Sequence, residues 1–284
     1  ARLAAAGVAG ADPDEWAGLA PVSVDAPLRS ADAPISVTPS TVELIANCPL
    51  RWLLERHGGQ DAATLPSVTG MLVHALVQLA ATGASEERID GALHQAWAVV
   101  DAGAPWFSRR EHRRVRDMLT AFRTWLTDSR SGLEQLAVEL DVDVLIPGMP
   151  AVRVRGRVDR VERDGENRPV IVDVKTSKNP ISRDAALSHP QLAVYQLAAA
   201  YGAFDALGVE PEPGGARLLY VSRATERVQP ALDEDARSHW LGTVQSAARA
   251  TIGPSYAAHE SADCARCPAR TACPLTDSGR QITT

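Results

Sequence analysis

The spacing of apolar residues changes rhythm along this chain, and each change marks an element. Residues 1–34 mix Ala, Gly, Asp and Pro without a sustained period and read as a linker or irregular lead-in. Thr38-Pro39-Ser40-Thr41-Val42-Glu43 then has the form of a helix start, with Pro in the first turn and a Ser-x-x-Glu capping pattern. Leu44, Ile45 and the segment Cys48-Pro49-Leu50-Arg51-Trp52 follow it. A second helix is predicted over Val68 to Ala81, where Leu72, Leu76 and Leu79 recur at helical spacing and His74 lies among them. A third runs from about Arg110 to Thr127 on the stripe Val115, Leu119, Phe122 and Leu126.

The period then drops to two. Val138, Leu140, Val142 and Val144 alternate with Glu139, Asp141 and Asp143; Val152, Val154 and Val158 alternate with Arg153, Arg155, Arg157 and Asp159. After the turn signal Asp164-Gly165, Val170, Val172 and Val174 alternate with Ile171, Asp173 and Lys175, which completes a three-strand meander. A helix from Pro190 to Leu207, a strand from Leu218 to Val221 and a helix from Asp233 to Ala250 complete the pattern. Helix, three strands, helix, strand is a compact α/β core. The expected organisation is a lead-in over 1–34, a helical region over 35–135, the α/β core over 136–255 and a tail over 256–284.

Length and composition narrow the class. The chain has 284 residues, 45% hydrophobic and 23% charged, as in a globular protein that buries a core. No apolar run approaches the roughly 20 residues of a membrane span, and no secretory signal opens the chain. We therefore expect a cytoplasmic protein, and the start at Ala1 reads as a piece of a longer polypeptide. A net charge of −6 excludes a uniformly basic DNA-coating protein, so any nucleic-acid contact must come from local patches. Two are visible: Ser108 to Arg116, with five arginines against one acid, and the alternating Arg153, Arg155 and Arg157. Either also reads as a solvated face.

Lysine is nearly excluded. Only Lys175 and Lys178 occur, so 29 − 2 = 27 of the basic residues are arginine. A lysine two positions after an aspartate on an apolar strand then points to a task for a compact ammonium, which a guanidinium does not replace. Asp173 and Lys175 share a face of their strand. If the hairpin register sets Asp159 opposite Asp173, the two carboxylates can hold a divalent cation, Mg²⁺ or Mn²⁺, with the Val174 carbonyl close by. Such a cation polarises a phosphoryl oxygen and acidifies water, and Lys175 is placed to orient that water or to stabilise negative charge. The competing reading of Asp-x-Lys is a surface ion pair, and that of His74 is a core histidine bonded to backbone.

Cys264-Ala265-Arg266-Cys267 and Cys273 form C-x₂-C-x₅-C, and Cys48 is the one other cysteine. In a cytosolic chain this favours metal ligation over disulfides, by zinc or by a 4Fe-4S cluster.

In order along the chain, Ser40 to Trp52, Gly70 to His74, Gly156-Arg157-Val158-Asp159-Arg160, Asp173-Val174-Lys175-Thr176-Ser177 and Gln191-Leu192-Ala193-Val194-Tyr195 resemble the RecB-type branch of the PD-(D/E)XK nucleases. The resemblance spans Ser36 to Pro274. It implies His74, Asp159, Asp173 and the Val174 carbonyl as metal ligands, Lys175 as the catalytic lysine, and Gln191 and Tyr195 as further active-site residues. Glu139 is an additional acidic candidate. Cys48, Cys264, Cys267 and Cys273 are similar to the iron-sulfur staple of AddB-type helicase-nucleases and CRISPR-associated exonucleases, which implies a 4Fe-4S cluster. The arginine- and alanine-rich composition looks actinobacterial, where the proteins that the motifs resemble are the mycobacterial AdnA/AdnB helicase-nucleases, which resect double-strand breaks. That resemblance implies single-stranded DNA as substrate, a helicase motor in the same polypeptide and a second subunit in a heterodimer; no Gly-x-x-x-x-Gly-Lys-Ser/Thr loop occurs here, so these residues do not themselves supply a Walker-type motor. A free-standing CRISPR-associated-type exonuclease and a non-catalytic DNA-binding scaffold are the alternatives.

Overall fold

The computed structural model describes residues 2–8, 11–12, 26–58, 64–100, 103–261 and 263–277. Much of the expected lead-in, and the last residues of the expected tail, lie outside them. The described elements, in order, are α1 (Arg2–Ala5), β1 (Ile35–Val37), α2 (Pro39–Asn47), α3 (Pro49–His57), α4 (Leu65–Ala81), α5 (Glu86–Trp97), α6 (Pro105–Ser129), β2 (Glu134–Ile146), β3 (Val152–Arg163), β4 (Pro169–Lys175), α7 (Arg183–Leu187), α8 (Pro190–Ala200), β5 (Gly215–Tyr220), β6 (Thr225–Gln229) and α9 (Glu234–Ala250).

The strands form one mixed six-stranded sheet in the order β1-β3-β4-β5-β6, with β2 also on β3. Two apolar layers cover it. On one face Val42, Ile45, Leu192, Val194, Leu197 and Val244 from α2, α8 and α9 pack against strand residues such as Val158, Ile171 and Leu218. On the other, Val73, Leu76, Val115, Leu119 and Phe122 from α4 and α6 cover Val172, Val174 and Leu219. β4 lies between antiparallel β3 and parallel β5 and is buried on both faces, which is why its apolar residues fall at odd and even positions alike.

The meander over β2, β3 and β4 has the expected connectivity, with longer strands. Four local readings differ. The first long helix is capped by Thr38, whose hydroxyl accepts from the Thr41 N–H at 3.1 Å, and not by a Ser40–Glu43 box. Cys48 then ends α2 and caps α3, so the segment Cys48 to Trp52 opens a helix of its own. The helix from Pro190 stops at Ala200, because Gly202 takes φ +87° and turns the chain into a short 3₁₀ segment at Asp205–Leu207. Region 35–135 also supplies a strand: β1 runs parallel to β3 at Val152–Val154.

β3 organises the sheet. One of its edges pairs with β2 along almost its whole length. The other edge pairs with β1 at residues 152–154 and with β4 at 160–163, so residues 155–159 have no strand beside them there. A buried charge network fixes the far end of this strand. Arg160, with no exposed surface, lies over the rings of Phe122 and Trp125, 5.4 and 5.5 Å from the centroids, and contacts Glu162 at 2.6 Å. Glu162 also accepts from Arg130 at 2.7 Å. Removing one partner of such a cluster strands the others in a dry interior. Glu162→Ala is expected to cost about 3 kcal/mol of unfolding free energy, measured by urea denaturation.

Candidate active site

Asp173 interrupts the most buried strand of the protein. A carboxylate there is costly unless it is partnered. Its Oδ1 accepts from Gln191 Nε2 at 2.8 Å, and Lys175 Nζ lies 2.7 Å from Oδ2. Lys175 donates in turn to Gln191 Oε1 at 3.0 Å. Gln191 is therefore the clamp that joins the two strand residues, and α8 is carried over the sheet so that its first turn delivers this amide. The ammonium is the one partner of Oδ2 among the described residues, an ion pair in a buried setting. A carboxylate oxygen so paired keeps a second lone pair for a cation.

Asp159 sits at the end of the unpaired stretch of β3. The last ladder pair is Arg160 with Val172, and one step further the register sets Asp159 opposite Asp173. The strands have parted there, and Asp159 bridges them: its Oδ2 accepts from the Val174 N–H at 2.6 Å. Its Oδ1 is 3.6 Å from His74 Nδ1 on α4. Glu139 lies across from Asp159 on β2, between the pairs Val138–Arg160 and Leu140–Val158, and adopts φ +52°, a left-handed conformation unfavourable for glutamate. One ligand atom from each of His74, Glu139 and Asp159 falls within 4.8 Å of the others. These three, with Gly70, Met71, Ala75 and Gln78, line an open cleft of about 480 Å³.

The unpaired stretch is plugged from one side of the sheet. Tyr195 donates its hydroxyl to the Arg157 carbonyl at 2.7 Å, taking the place of a ladder bond. A Cβ on Gly156 would stand 3.2 Å from Pro39 Cδ and 3.3 Å from the Tyr195 hydroxyl, so glycine lets helix and strand approach here. Tyr195 thus supports the strand two residues before Asp159, and its contact is with backbone.

The charges are frustrated. Burial raises the Asp173 pKa; Lys175 opposes this and Asp159 adds to it. Burial, then Asp159, also lifts Glu139. Burial disfavours the His74 cation, yet Asp159, Asp173 and Glu139 outweigh it and raise the imidazole pKa. Lys175 behaves likewise: burial lowers it, while Asp173, Asp159 and Glu43 hold it above the usual lysine range. Three carboxylates gathered about one ammonium and one imidazole leave negative charge that a divalent ion would neutralise.

Two polar groups near Lys175 carry no sequence signal of chemistry. Glu43, read in the sequence only as part of a cap, is half-buried on α2; burial raises its pKa and Lys175 opposes the rise. His189, the residue before α8, has its pKa pushed down to about 4 by burial and by Lys175. A polar residue beside buried Val42 and Ile45 was the available hint for Glu43.

The four cysteines come together away from this cleft. Cys48, Cys264, Cys267 and Cys273 all line one cavity of about 260 Å³, with Arg51, His259 and Arg270 around it. Cys48 Sγ accepts from the Arg51 N–H at 3.4 Å, and Cys264 Sγ from the Ser261 N–H at 3.2 Å. Protein contacts hold the two segments together as well: Leu50 N–H donates to the Ala257 carbonyl at 3.0 Å, and Trp52 faces Tyr256 at 6.1 Å between ring centroids.

The two sequence-level basic patches part company. Arg153 and Arg155 share Asp143, and Arg157 pairs with Asp141, so the strand run is largely offset by the acids of β2. The helical run keeps a surplus: Glu111 is shared by Arg110 and Arg114, Asp90 pairs with Arg116, and Arg109 and Arg113 have no ion pair among the described residues.

Paired carboxylates and a lysine, carried on a split mixed sheet with helices on both faces, are the arrangement expected of an α/β nuclease. The family model of the PD-(D/E)XK nuclease superfamily matches residues 36–274, and the chain belongs to that superfamily. A search of curated proteins found no match. Among solved structures the chain is similar to SSO0001, at 16% identity, 86% of this chain and 89% of that chain, with a TM-score of 0.41. It is also similar to a candidate exonuclease from Eubacterium rectale, at 11% identity, 86% of each chain and a TM-score of 0.47. Among the described residues no helix is long and apolar enough to cross a membrane.

Proposed function

We propose that this chain is a metal-dependent deoxyribonuclease domain that hydrolyses single strands, with Asp159 and Asp173 as the central metal ligands. The observation that carries the reading is the buried Asp173 carboxylate, held by Gln191 and ion-paired to Lys175, with Asp159 opposite it in the strand register. His74, Glu139 and the Val174 carbonyl complete the donor set, whose oxygen-rich character suits Mg²⁺ or Mn²⁺. Bound there, such an ion supplies Lewis acidity toward a phosphoryl oxygen and lowers the pKa of water. Lys175 keeps its proton, because the surrounding carboxylates raise its pKa, and presents fixed positive charge to the developing phosphorane oxygens. Gln191 holds that ammonium in place, and Tyr195 holds β3 where the register sets Asp159 opposite Asp173.

The cysteine cavity is proposed to hold a 4Fe-4S cluster. A zinc ion draws four thiolates to about 2.3 Å and so to within roughly 4 Å of each other. Among the described residues, the set of three or more ligand atoms within 4.8 Å is His74, Glu139 and Asp159, whereas the sulfurs surround a cavity. The N–H groups aimed at Cys48 and Cys264 are of the kind that tune such clusters. A helicase motor in the same polypeptide, a heterodimeric partner subunit and a role in double-strand-break resection rest on the motif resemblance, and a cytoplasmic location on composition.

The test is cleavage of end-labelled single-stranded DNA. Cleavage is expected with Mg²⁺ or Mn²⁺, with complete loss on chelation and recovery on adding metal back. Absence of cleavage with either ion, or cleavage indifferent to chelator, would refute the assignment.

A further inference from the structure

We propose that the first three turns of α6 form the track along which a DNA single strand reaches the cleft, with Trp106 as a base-stacking platform and Arg109 and Arg113 as phosphate contacts. The inference rests on the nuclease reading above and extends it to a surface outside the metal-ligand set.

Position comes first. Arg114 Nη2 donates to the Thr176 carbonyl at 3.1 Å, directly after Lys175. Thr176 Oγ1 is 3.4 Å from where a Cβ on Gly70 would stand, and Gly70 lines the cleft with His74 and Asp159. The arginine run is thus fastened to the loop that leaves the site strand. At about 1.5 Å per residue, Trp106 lies roughly 12 Å along the helix from that anchor, a distance of two or three nucleotides.

Charge comes second. Glu111 is buried, and although burial alone would raise its pKa, Arg114 and Arg110 hold it below the usual carboxylate range. It is consumed within the helix. Arg109 and Arg113 are exposed and have no ion pair among the described residues. The other arginine run offers the contrast, since each of its members has an aspartate partner.

Shape comes third. Trp106 is 61% exposed, and Met71 on the cleft rim is 63% exposed. Arg110 lies 4.9 Å from the Phe107 ring centroid and 5.9 Å from that of Trp106. Cations interleaved with exposed aromatic faces match a single strand, in which phosphates and unstacked bases alternate; a duplex hides its base faces.

Binding is measured by fluorescence anisotropy of labelled oligonucleotides, without divalent metal, in an Asp173→Asn background so that no strand is cut. Trp106→Ala is expected to weaken single-strand binding about tenfold and to leave duplex binding unchanged. Arg109→Ala with Arg113→Ala should make the slope of log affinity against log salt shallower by about 1.4, at roughly 0.7 per phosphate contact. Arg153→Ala with Arg155→Ala should alter neither quantity. Unchanged single-strand binding and slope in the α6 variants overturns the track, as does an equal Trp106→Ala loss on duplex. Wild-type cleavage, scored separately, judges the nuclease reading: intact cleavage with unaffected binding sinks the track alone, and absent cleavage sinks the nuclease while the binding result still decides the track.

Discussion

Asp173→Asn is expected to lower metal-dependent cleavage by on the order of a thousandfold or more, about 4 kcal/mol in the barrier, while the fold persists. The substitution keeps shape and one acceptor for Gln191 but removes the charge that faces Lys175 and the metal. Stability should respond less. Burial holds the Asp173 pKa above its ordinary value, so its contribution to folding is greatest when it is protonated and is lost as pH rises through the raised pKa. At neutral pH in metal-free protein a neutral amide relieves that cost but also takes from Lys175 the counter-charge that holds its pKa up, so the two effects oppose each other. The apparent melting temperature without metal should therefore stay close to that of the wild type, and the gain on adding Mg²⁺ should disappear. Single-turnover cleavage and thermal denaturation, each with and without metal, read both effects. Cleavage within tenfold of wild type would remove Asp173 from the reaction, and unfolding of the variant would make its role structural.

The same residue shows how far the sequence could be read. Asp173 and Lys175 share a face because strand side chains alternate, and that needs no structure. That Asp159 stands opposite Asp173 depends on a register fixed only by the residues around Arg160 and Val172, together with the gap in β3 that frees Asp159 to reach Val174. Glu139 was one of three alternating acids, and nothing local separates it from Asp141 or Asp143. Its left-handed backbone and position across from Asp159 do so, while Asp141 and Asp143 turn to the arginines of β3. The two arginine runs looked alike for a related reason: neutralisation is a property of the neighbouring strand.

Short or polar elements escaped for lack of pattern. β1 has three residues, and β6, Thr225–Gln229, is a polar edge strand with one apolar side chain. α5 carries a sound cap at Ser85, yet its buried surface is little more than Ile89 and Leu93. The break at Cys48 was hidden because the sequences on both sides favour helix; Pro49 begins α3 as a first-turn proline.

The largest stability effect is expected away from the cleft. Cys48 and Cys264 are 216 positions apart, and both line one cavity. A link that closes a loop of this length is worth about 5 kcal/mol by the chain-entropy relation for cross-links. On the cluster proposed above, Cys267→Ser is expected to remove the brown colour and the iron from anaerobically purified protein and to lower the melting temperature by about 10 °C or more. Leu50, Trp52, Ala257 and Tyr256 still join the tail to α3, so the chain should stay folded below that temperature. The carboxylates and Lys175 belong to the sheet, and Gln191 to α8; none needs the tail to hold its geometry. In the cool range, then, kcat on a short single strand should fall by less than threefold, whereas inactivation on warming should be markedly faster. Stoichiometric zinc without iron in the wild type would replace the cluster with a zinc site. An unchanged melting temperature in the variant would show that the cysteines are no staple, and loss of kcat at low temperature with melting unchanged would tie them to the chemistry instead.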